Sequence, residues 1–98
     1  MKQKMNEAEP FPIADLIRRI VKALVDHPEQ AEVTAIVGRM STVIEVRTAP
    51  GDMGKLVGRH GRTADAIRTL LVAFGGRYKR RFLLEIIDPR EQARSLRR

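Results

Sequence analysis

Hydrophobic residues recur every three or four positions in the first third of the chain. This spacing predicts an amphipathic helix over residues 13–26. Its apolar stripe consists of Ile13, Leu16, Ile17, Ile20 and Leu24. Pro12 suits the first turn of a helix, and Pro28 disfavours helical backbone at His27, so the pattern also predicts where the helix begins and ends. We expect this helix to serve as scaffold.

The pattern then changes to alternation in a stretch rich in β-branched residues. It predicts two strands, over residues 32–37 and 42–48, with a short turn at 38–41 between them. Because so short a connection joins only antiparallel neighbours, we expect the two strands to form a hairpin.

Helical spacing returns in the second half of the chain. Asp52 is a candidate N-cap for a short helix that ends before residue 58. The apolar face of this helix consists of Met53, Leu56 and Val57. A longer helix is predicted over residues 62–74, where Gly75 and Gly76 are expected to end it.

The last regular element is the segment RFLLEIID, residues 81–88. It is too short and too continuously apolar for a surface helix, and it is interpreted as a strand buried on both faces and therefore parallel to its neighbour. The order α-β-β-α-α-β places two helices between the second and third strands, which is enough chain for a crossover. We therefore expect an α+β fold, a three-stranded mixed sheet with three helices on one face.

A chain of 98 residues is expected to form a single domain. We place that domain at residues 12–88, between a flexible N-terminal extension, 1–11, and a basic C-terminal tail, 89–98. The tail is expected to be either a frayed helix or a basic arm. The chain contains no cysteine, no apolar stretch long enough to span a bilayer and no secretory leader at its start, so a soluble cytoplasmic protein is expected.

Charge is distributed unevenly along the chain. The net charge is +7, and residues 54–81 hold eight basic residues against one acid, Asp65, while the remainder is balanced. Positive charge concentrated in so short a segment is typical of a surface that binds a polyanion. A cationic surface kept only for solubility is the alternative.

The sequence Gly58-Arg59-His60-Gly61 interrupts the helical run inside this basic segment. A turn at this place would direct the first amides of the following helix outward, where the helix dipole favours an anion. Glycine lets the backbone approach a phosphate closely, and the two basic side chains add donors. The alternative is a plain helix-turn-helix corner.

The position of this loop in the chain strengthens the phosphate interpretation. A G-x-x-G between two helices, in an α-β-β-α-α-β order, resembles a KH domain of the second topological type. The run APGDMGKLVGRHGRTADAIRTLLVAF is similar to that of the small bacterial single-KH RNA-binding proteins, the KhpA family. The resemblance covers about residues 12–88. Arg59 and Val57 depart mildly from it, since lysine and isoleucine are commoner there.

The resemblance implies which residues bind RNA. Gly58, Arg59, His60 and Gly61 would grip the backbone of a single strand. Lys55 and Arg62 would flank the phosphates, and Val57 would close the floor of an apolar groove for bases. The segment GGRYKRR would form a variable loop at the other edge of the groove, with Tyr78 either stacking on a base or anchoring the loop. The further residues of that loop assigned to RNA are Arg77, Lys79 and Arg80.

The resemblance also implies a biological setting. Members of the family self-associate as homodimers or form heterodimers with a larger KH-domain RNA-binding protein. That pair is linked to cell-wall homeostasis and cell-length control, and members are described as probable RNA chaperones. A single domain holding about four nucleotides is expected to bind weakly, so a second domain would raise the affinity.

Other classes of function find less support in the sequence. The two histidines, His27 and His60, are far apart, no acid pair has a catalytic spacing, and the glycines match no nucleotide-binding motif, so we expect no enzyme, metal, cofactor or small-molecule substrate. Two binding alternatives stay open. One is a protein-interaction module that docks through the Met53, Leu56 and Val57 face, and the other is a binder of single-stranded DNA.

Overall fold

The structure, a computed structural model, describes residues 12–89. Its helices are α1 (Ile13–Leu24), α2 (Met53–Val57) and α3 (Arg62–Tyr78), and its strands are β1 (Glu32–Val37), β2 (Ser41–Arg47) and β3 (Arg81–Ile87). Short 3₁₀ turns lie at Pro28–Gln30, Pro50–Asp52 and Arg59–Gly61. The predicted order α-β-β-α-α-β is confirmed. The predicted N-terminal extension, and all but the first residue of the predicted tail, lie outside the described residues.

The three strands form one sheet in the order β1-β2-β3. β1 pairs antiparallel with β2, with Val33 opposite Val46. β2 pairs parallel with β3, with Ile44 opposite Leu84. The mixed sheet predicted from the length of the crossover is therefore confirmed, and the arrangement is that of a type II KH domain.

The core lies between the sheet and the helices, which cover one of its faces. The side chains of Ile17 and Val21 on α1, Ile44 on β2, Leu56 on α2 and Leu71 on α3 are almost completely buried there. Burial of each such side chain stabilises the fold by about 1.5–3 kcal/mol relative to leaving it in water. Every helix thus has at least one anchor in the core.

The first helix differs from its prediction in two details. It ends at Leu24 rather than residue 26, because Val25 is already extended and leads towards Pro28. Its buried stripe runs through Ile13, Ile17 and Val21, whereas Leu16 is 40% exposed. No helix within residues 12–89 has the length and apolar character needed to cross a membrane.

The prediction that β3 is buried on both faces is wrong. Burial alternates along this strand: Phe82 is buried, Leu83 is 39% exposed and Glu85 is exposed. β3 is an edge strand, and within residues 12–89 all three helices lie on one side of the sheet. Its parallel pairing follows from the crossover through α2 and α3 and does not require burial on both faces.

The prediction that Gly75 and Gly76 end the long helix is also wrong. α3 continues to Tyr78 and ends at Lys79, whose φ of 57° is left-handed. Glycine inside a helix costs about 1 kcal/mol relative to alanine. Phe74 and Tyr78 lie one turn apart and both pack on the core, which offsets that cost. Arg77 and Tyr78 therefore belong to a helix and not to a variable loop.

Candidate nucleic-acid interface

The loop between α2 and α3 is built from residues with left-handed or otherwise unusual backbone. φ is +82° at Gly58, +57° at His60 and +73° at Gly61. The Gly58 amide donates to the carbonyl of Gly54 at 2.9 Å, and the Gly61 amide donates to the Gly58 carbonyl at 3.0 Å. The chain therefore reverses direction within four residues and presents the start of α3 beside the loop.

The two glycines of the loop are required for different reasons. At Gly58, φ +82° and ψ 168° lie in a region that essentially only glycine adopts. A Cβ there would also lie 2.2 Å from Oγ1 of Thr63. At Gly61 a Cβ would meet nothing within 4 Å, so only the left-handed backbone favours glycine. The first glycine is therefore the more strictly required.

The cationic side chains of the loop project into solvent. Arg59, His60 and Arg62 are exposed, and within residues 12–89 their side chains make no hydrogen bond or ion pair. They surround the N-terminus of α3, a helix of 17 residues whose dipole places partial positive charge there. Two exposed guanidinium groups and an exposed imidazole at the positive end of a helix form a site that favours a bound anion.

The helix α2 holds the loop in place by its packing, and its one basic residue, Lys55, forms an ion pair. Leu56 is completely buried and Val57 is half-buried, so the helix is anchored beneath the loop. In the docking face of the interaction-module alternative, Leu56 is buried and Met53 and Val57 are half-buried, so this face exposes little apolar surface. Nζ of Lys55 lies 3.4 Å from the Asp26 carboxylate in a largely exposed ion pair, a type of contact worth little in water.

The N-cap position predicted for Asp52 at the start of α2 is confirmed. Asp52 occupies the N-cap position, but its carboxylate makes no capping bond to the helix. It instead accepts a hydrogen bond from the backbone amide of His27 at 2.8 Å. His27 is otherwise a half-exposed residue at the start of the 3₁₀ turn before β1.

The other predicted RNA-binding residues lie at the opposite end of α3. Arg62 and Tyr78 are the first and last residues of that helix, which separates them by about 24 Å along its axis. Tyr78 is half-buried and packs edge-to-face on Phe82, with 6.2 Å between ring centroids. The guanidinium of Arg77 lies 5.5 Å from the centre of the Tyr78 ring. This geometry makes Tyr78 an anchor of the helix end.

Arg80 has a structural role that the sequence did not indicate. Its guanidinium donates to the carbonyls of Gly38 (2.7 Å) and Arg39 (3.3 Å) in the β1–β2 turn and to that of Ser41 (3.0 Å), the first residue of β2. It also donates to the hydroxyl of Thr42 at 3.0 Å. Arg80 therefore joins the β1–β2 hairpin to the end of α3 by hydrogen bonds. The two residues on either side of it, Lys79 and Arg81, are exposed.

A cleft of about 560 Å³ opens between α3 and the edge strand β3. Its apolar lining consists of Met40, Leu71, Val72, Gly75, Phe82 and Leu83, and its cationic rim of Lys79, Arg80 and Arg81. The apolar groove expected from the resemblance had Val57 as its floor, whereas the lining of this cleft includes Lys79 and Arg80 but not Val57.

Arg68 and two residues of the cleft lie along one side of α3. Positions 68, 72 and 75 are separated by nearly whole helical turns, so they share a face of the helix. Arg68 lies between the loop and the cleft on this face, and its Nη1 is 3.3 Å from the Asp65 carboxylate. This face therefore carries one further basic residue beside the apolar cleft.

Comparison with known protein families decides which fold family this is. The family model described as "KhpA/KhpB, KH domain" matches residues 14–86, which include all the secondary structure except the first and last residues. The chain belongs to the KhpA/KhpB KH-domain family. The resemblance noted from the loop and the element order is thereby confirmed.

Curated relatives support the same assignment. "RNA-binding protein KhpA" of Caldanaerobacter subterraneus subsp. tengcongensis is 48% identical over 75 residues, which is 76% of this chain and 100% of that protein. The protein of the same name from Borreliella burgdorferi is 46% identical over 88 residues, 90% of this chain and 100% of its own length. A third, from Aquifex aeolicus, is 40% identical over 76 residues, 78% of this chain and 96% of its own. No solved structure matches the chain significantly.

Proposed function

We propose that this protein binds single-stranded RNA, with residues 58–61 holding the backbone and the cleft between α3 and β3 receiving bases. The observation that carries the proposal is the loop itself, whose exposed cations find no partner among the described residues and surround the N-terminus of α3. The relatives named RNA-binding protein KhpA support RNA as the polyanion.

Backbone contacts supply most of the affinity in this proposal. The unusual conformations of Gly58 and Gly61 allow a phosphate to approach the chain closely, and no Cβ at these positions obstructs it. Arg59 and Arg62 then donate charge-assisted hydrogen bonds to phosphate oxygens, and His60 adds a donor or a stacking surface. Lys55 adds long-range attraction.

The apolar surfaces beside the loop receive the bases. Val57 is half-buried and forms the floor next to the loop, and Val72 and Leu83 extend the apolar surface along the cleft. Bases stack on apolar and aromatic surfaces without strong sequence preference. Among the rim residues, Lys79 and Arg81 add positive charge. Arg77, Tyr78 and Arg80 act through the fold, because Arg77 lies over the Tyr78 ring, Tyr78 packs on Phe82 and Arg80 binds the hairpin.

We also propose that a second KH domain shares the RNA in the working assembly. A site for about four nucleotides gives weak binding on its own, and linking two sites raises the overall affinity. The family covers both KhpA and KhpB proteins, so the second domain is either another copy of this chain or a KhpB-like partner. Light scattering, alone and with such a partner, distinguishes these two assemblies.

A charge-matched pair of double variants tests the loop. Arg59→Asp with His60→Asp lowers the charge by three at the loop. Arg19→Asp with Gln30→Asp lowers it by the same amount at exposed positions of α1 and the following turn. We expect the loop variant to bind a mixed-sequence single-stranded RNA at least about tenfold more weakly than the control variant, because two charge-assisted contacts are lost.

Circular dichroism establishes that both double variants are folded, and titration with matched RNA and DNA oligonucleotides shows whether the 2′-hydroxyl is recognised. A folded loop variant that binds RNA as well as the control would refute the assignment of the loop. Equal binding of RNA and DNA by the parent would leave the loop assignment intact. The ligand would then be single-stranded nucleic acid of either kind.

A further inference from the structure

Asp52 is a buried acid that the RNA-binding mechanism does not use directly. It is 1% exposed and immediately precedes α2, the helix that leads into Gly58. One of its carboxylate oxygens accepts the hydrogen bond from the His27 amide at 2.8 Å and lies 3.3 Å from Nδ1 of the His27 ring. The bond joins two segments that are 25 residues apart in the chain.

The surroundings of this carboxylate favour its charged form. Burial by itself raises the pKa of Asp52, but hydrogen bonds from the backbone amides of His27 and Asp26, together with the His27 ring, outweigh it and lower the pKa. Removing the acceptor would leave the partly buried His27 amide without this partner, which is more costly than the bond is worth when formed.

The helix that follows Asp52 depends on such contacts. α2 has only five residues and one fully buried side chain, Leu56. Isolated helices shorter than about 12–15 residues are marginal in water, so tertiary contacts must fix its position. Two side-chain contacts, Asp52 to His27 and Lys55 to Asp26, join this part of the chain to the connection between α1 and β1. The second is exposed and weak, which leaves Asp52 as the principal polar anchor.

We infer that Asp52 is a positioning residue for RNA binding. Its carboxylate fixes the start of α2 on the connection between α1 and β1, and so sets the place of Gly58 and the loop relative to the N-terminus of α3. This inference rests on the proposed RNA-binding function. Asp52 itself touches no RNA, because its side chain is enclosed by the protein.

Without the Asp52 hydrogen bond, fewer molecules would hold the loop in its binding position, and the affinity for RNA would fall. When only a fraction of the molecules hold the loop in its binding position, the apparent dissociation constant rises by the inverse of that fraction. A loop that is competent in about one molecule in ten would thus bind RNA about tenfold more weakly. The charge of the site and its phosphate contacts would be unchanged.

Two substitutions at Asp52 separate positioning from general destabilisation. Asp52→Asn keeps a carbonyl oxygen for the His27 amide, whereas Asp52→Ala removes every acceptor. Val33→Ala, in the buried core of β1 and away from α2, serves as a destabilised control. RNA affinity is measured at one salt concentration and at a temperature where each variant is folded, and thermal unfolding is recorded for all three.

We expect Asp52→Ala to weaken RNA binding about tenfold, Asp52→Asn to stay within about threefold of the parent, and Val33→Ala to stay within about twofold. A folded Asp52→Ala that binds like the parent would overturn the inference, and so would a Val33→Ala that weakens binding as much. If Asp52→Ala does not fold, Asp52→Ser, with a shorter acceptor, replaces it under the same criteria.

A second measurement keeps the inference separate from the proposed function. Amide relaxation by NMR reports the order of Gly58 and Gly61 without any RNA. The inference predicts greater loop motion in Asp52→Ala than in Asp52→Asn or Val33→Ala. A parent that binds no RNA would refute the proposed function, and an unchanged loop in Asp52→Ala would refute the positioning role.

Discussion

The two ends of α3 have nearly the same composition and opposite uses. Each end combines two glycines with several basic residues. At the N-terminal end, Gly58 and Gly61 both have positive φ, and the cations there make no bond to the described part of the chain. At the C-terminal end, Gly75 and Gly76 are ordinary helical residues, and the Arg80 guanidinium binds the hairpin. Composition alone therefore does not distinguish basic residues that are available to a ligand from basic residues that hold the fold together.

Helix electrostatics explain the difference. Basic residues at the C-terminus of a helix are favourable, and those at the N-terminus are unfavourable, by about 0.3–1 kcal/mol each. Arg77, in the last turn of α3, therefore stabilises the fold. Arg59 and Arg62, next to the first turn, have no such benefit, and a bound anion would remove the unfavourable interaction. A cluster that costs stability and has no partner inside the described fold points to a ligand.

The largest effect that distinguishes the two ends should come from Arg80→Ala. It removes hydrogen bonds to three carbonyls of the hairpin and to the Thr42 hydroxyl. Since hydrogen bonds to charged groups contribute about 1.5–3 kcal/mol when partly buried, we expect urea unfolding to show a loss of about 3 kcal/mol. The matched change at the other end, Arg59→Ala, should alter stability by less than about 0.5 kcal/mol.

Arg80→Lys completes that comparison, because lysine keeps the charge but lacks the planar fork. We expect an intermediate loss of stability. Equal stability of Arg80→Lys and the parent would mean that charge alone, and not the guanidinium geometry, holds the hairpin. A stability loss in Arg59→Ala as large as in Arg80→Ala would make the two ends equivalent.

The loop glycines should rank next in effect. Gly58→Ala combines a glycine-only backbone conformation with a clash against Thr63, and we expect a loss of about 2 kcal/mol in the free energy of unfolding. Gly61→Ala meets no neighbour and adopts left-handed helical backbone, so the loss should be about 1 kcal/mol. Chemical denaturation measures both, and similar losses for the two would contradict the clash at Gly58.

Much of the fold could be predicted because it depends on local pattern. The spacing of apolar residues, the short hairpin turn and the two-helix crossover together determine the element order, and the loop was visible as two glycines that interrupt a helix. The role of Arg80 could not be predicted, because its partners at residues 38–42 come near it only when the sheet has formed. The same holds for Asp52, whose partner His27 is remote in the chain.

The end of α3 was mispredicted for a related reason. Gly75 and Gly76 are strong local signals for a helix stop, but the packing of Phe74 and Tyr78 outweighs them. Tyr78 continues the apolar stripe of Ile67 and Leu71 at helical spacing, which was the one available signal that the helix goes on.

Alanine at the two helical glycines should give effects of opposite sign. A Cβ at Gly75 would lie 2.6 Å from the carbonyl oxygen of Arg80, so Gly75→Ala should destabilise the protein by about 1–2 kcal/mol. A Cβ at Gly76 meets nothing within 4 Å, so Gly76→Ala should stabilise it by about 0.5–1 kcal/mol. Thermal unfolding gives both signs. Stabilisation by both changes would show that the close approach of the Arg80 carbonyl to α3 does not require glycine at position 75.

The smallest effect, on the salt dependence of RNA binding, bears most directly on the comparison of the two ends. Each phosphate contact to a single strand contributes about 0.7 to the slope of log affinity against log salt. Arg62→Gln at the N-terminal end should reduce the slope by about that amount and weaken binding about twofold to fivefold. It should leave stability unchanged or slightly increased, because it removes a cation from the positive end of the helix dipole.

Arg77→Gln provides the matched change at the C-terminal end, where the guanidinium lies over the Tyr78 ring. It should leave the slope nearly unchanged and lower stability by about 0.3–1 kcal/mol, since it removes a cation from the negative end of the dipole. An equal reduction of the slope by both variants would contradict the division of roles. Phosphates would then be bound at both ends of α3, and not only at the loop.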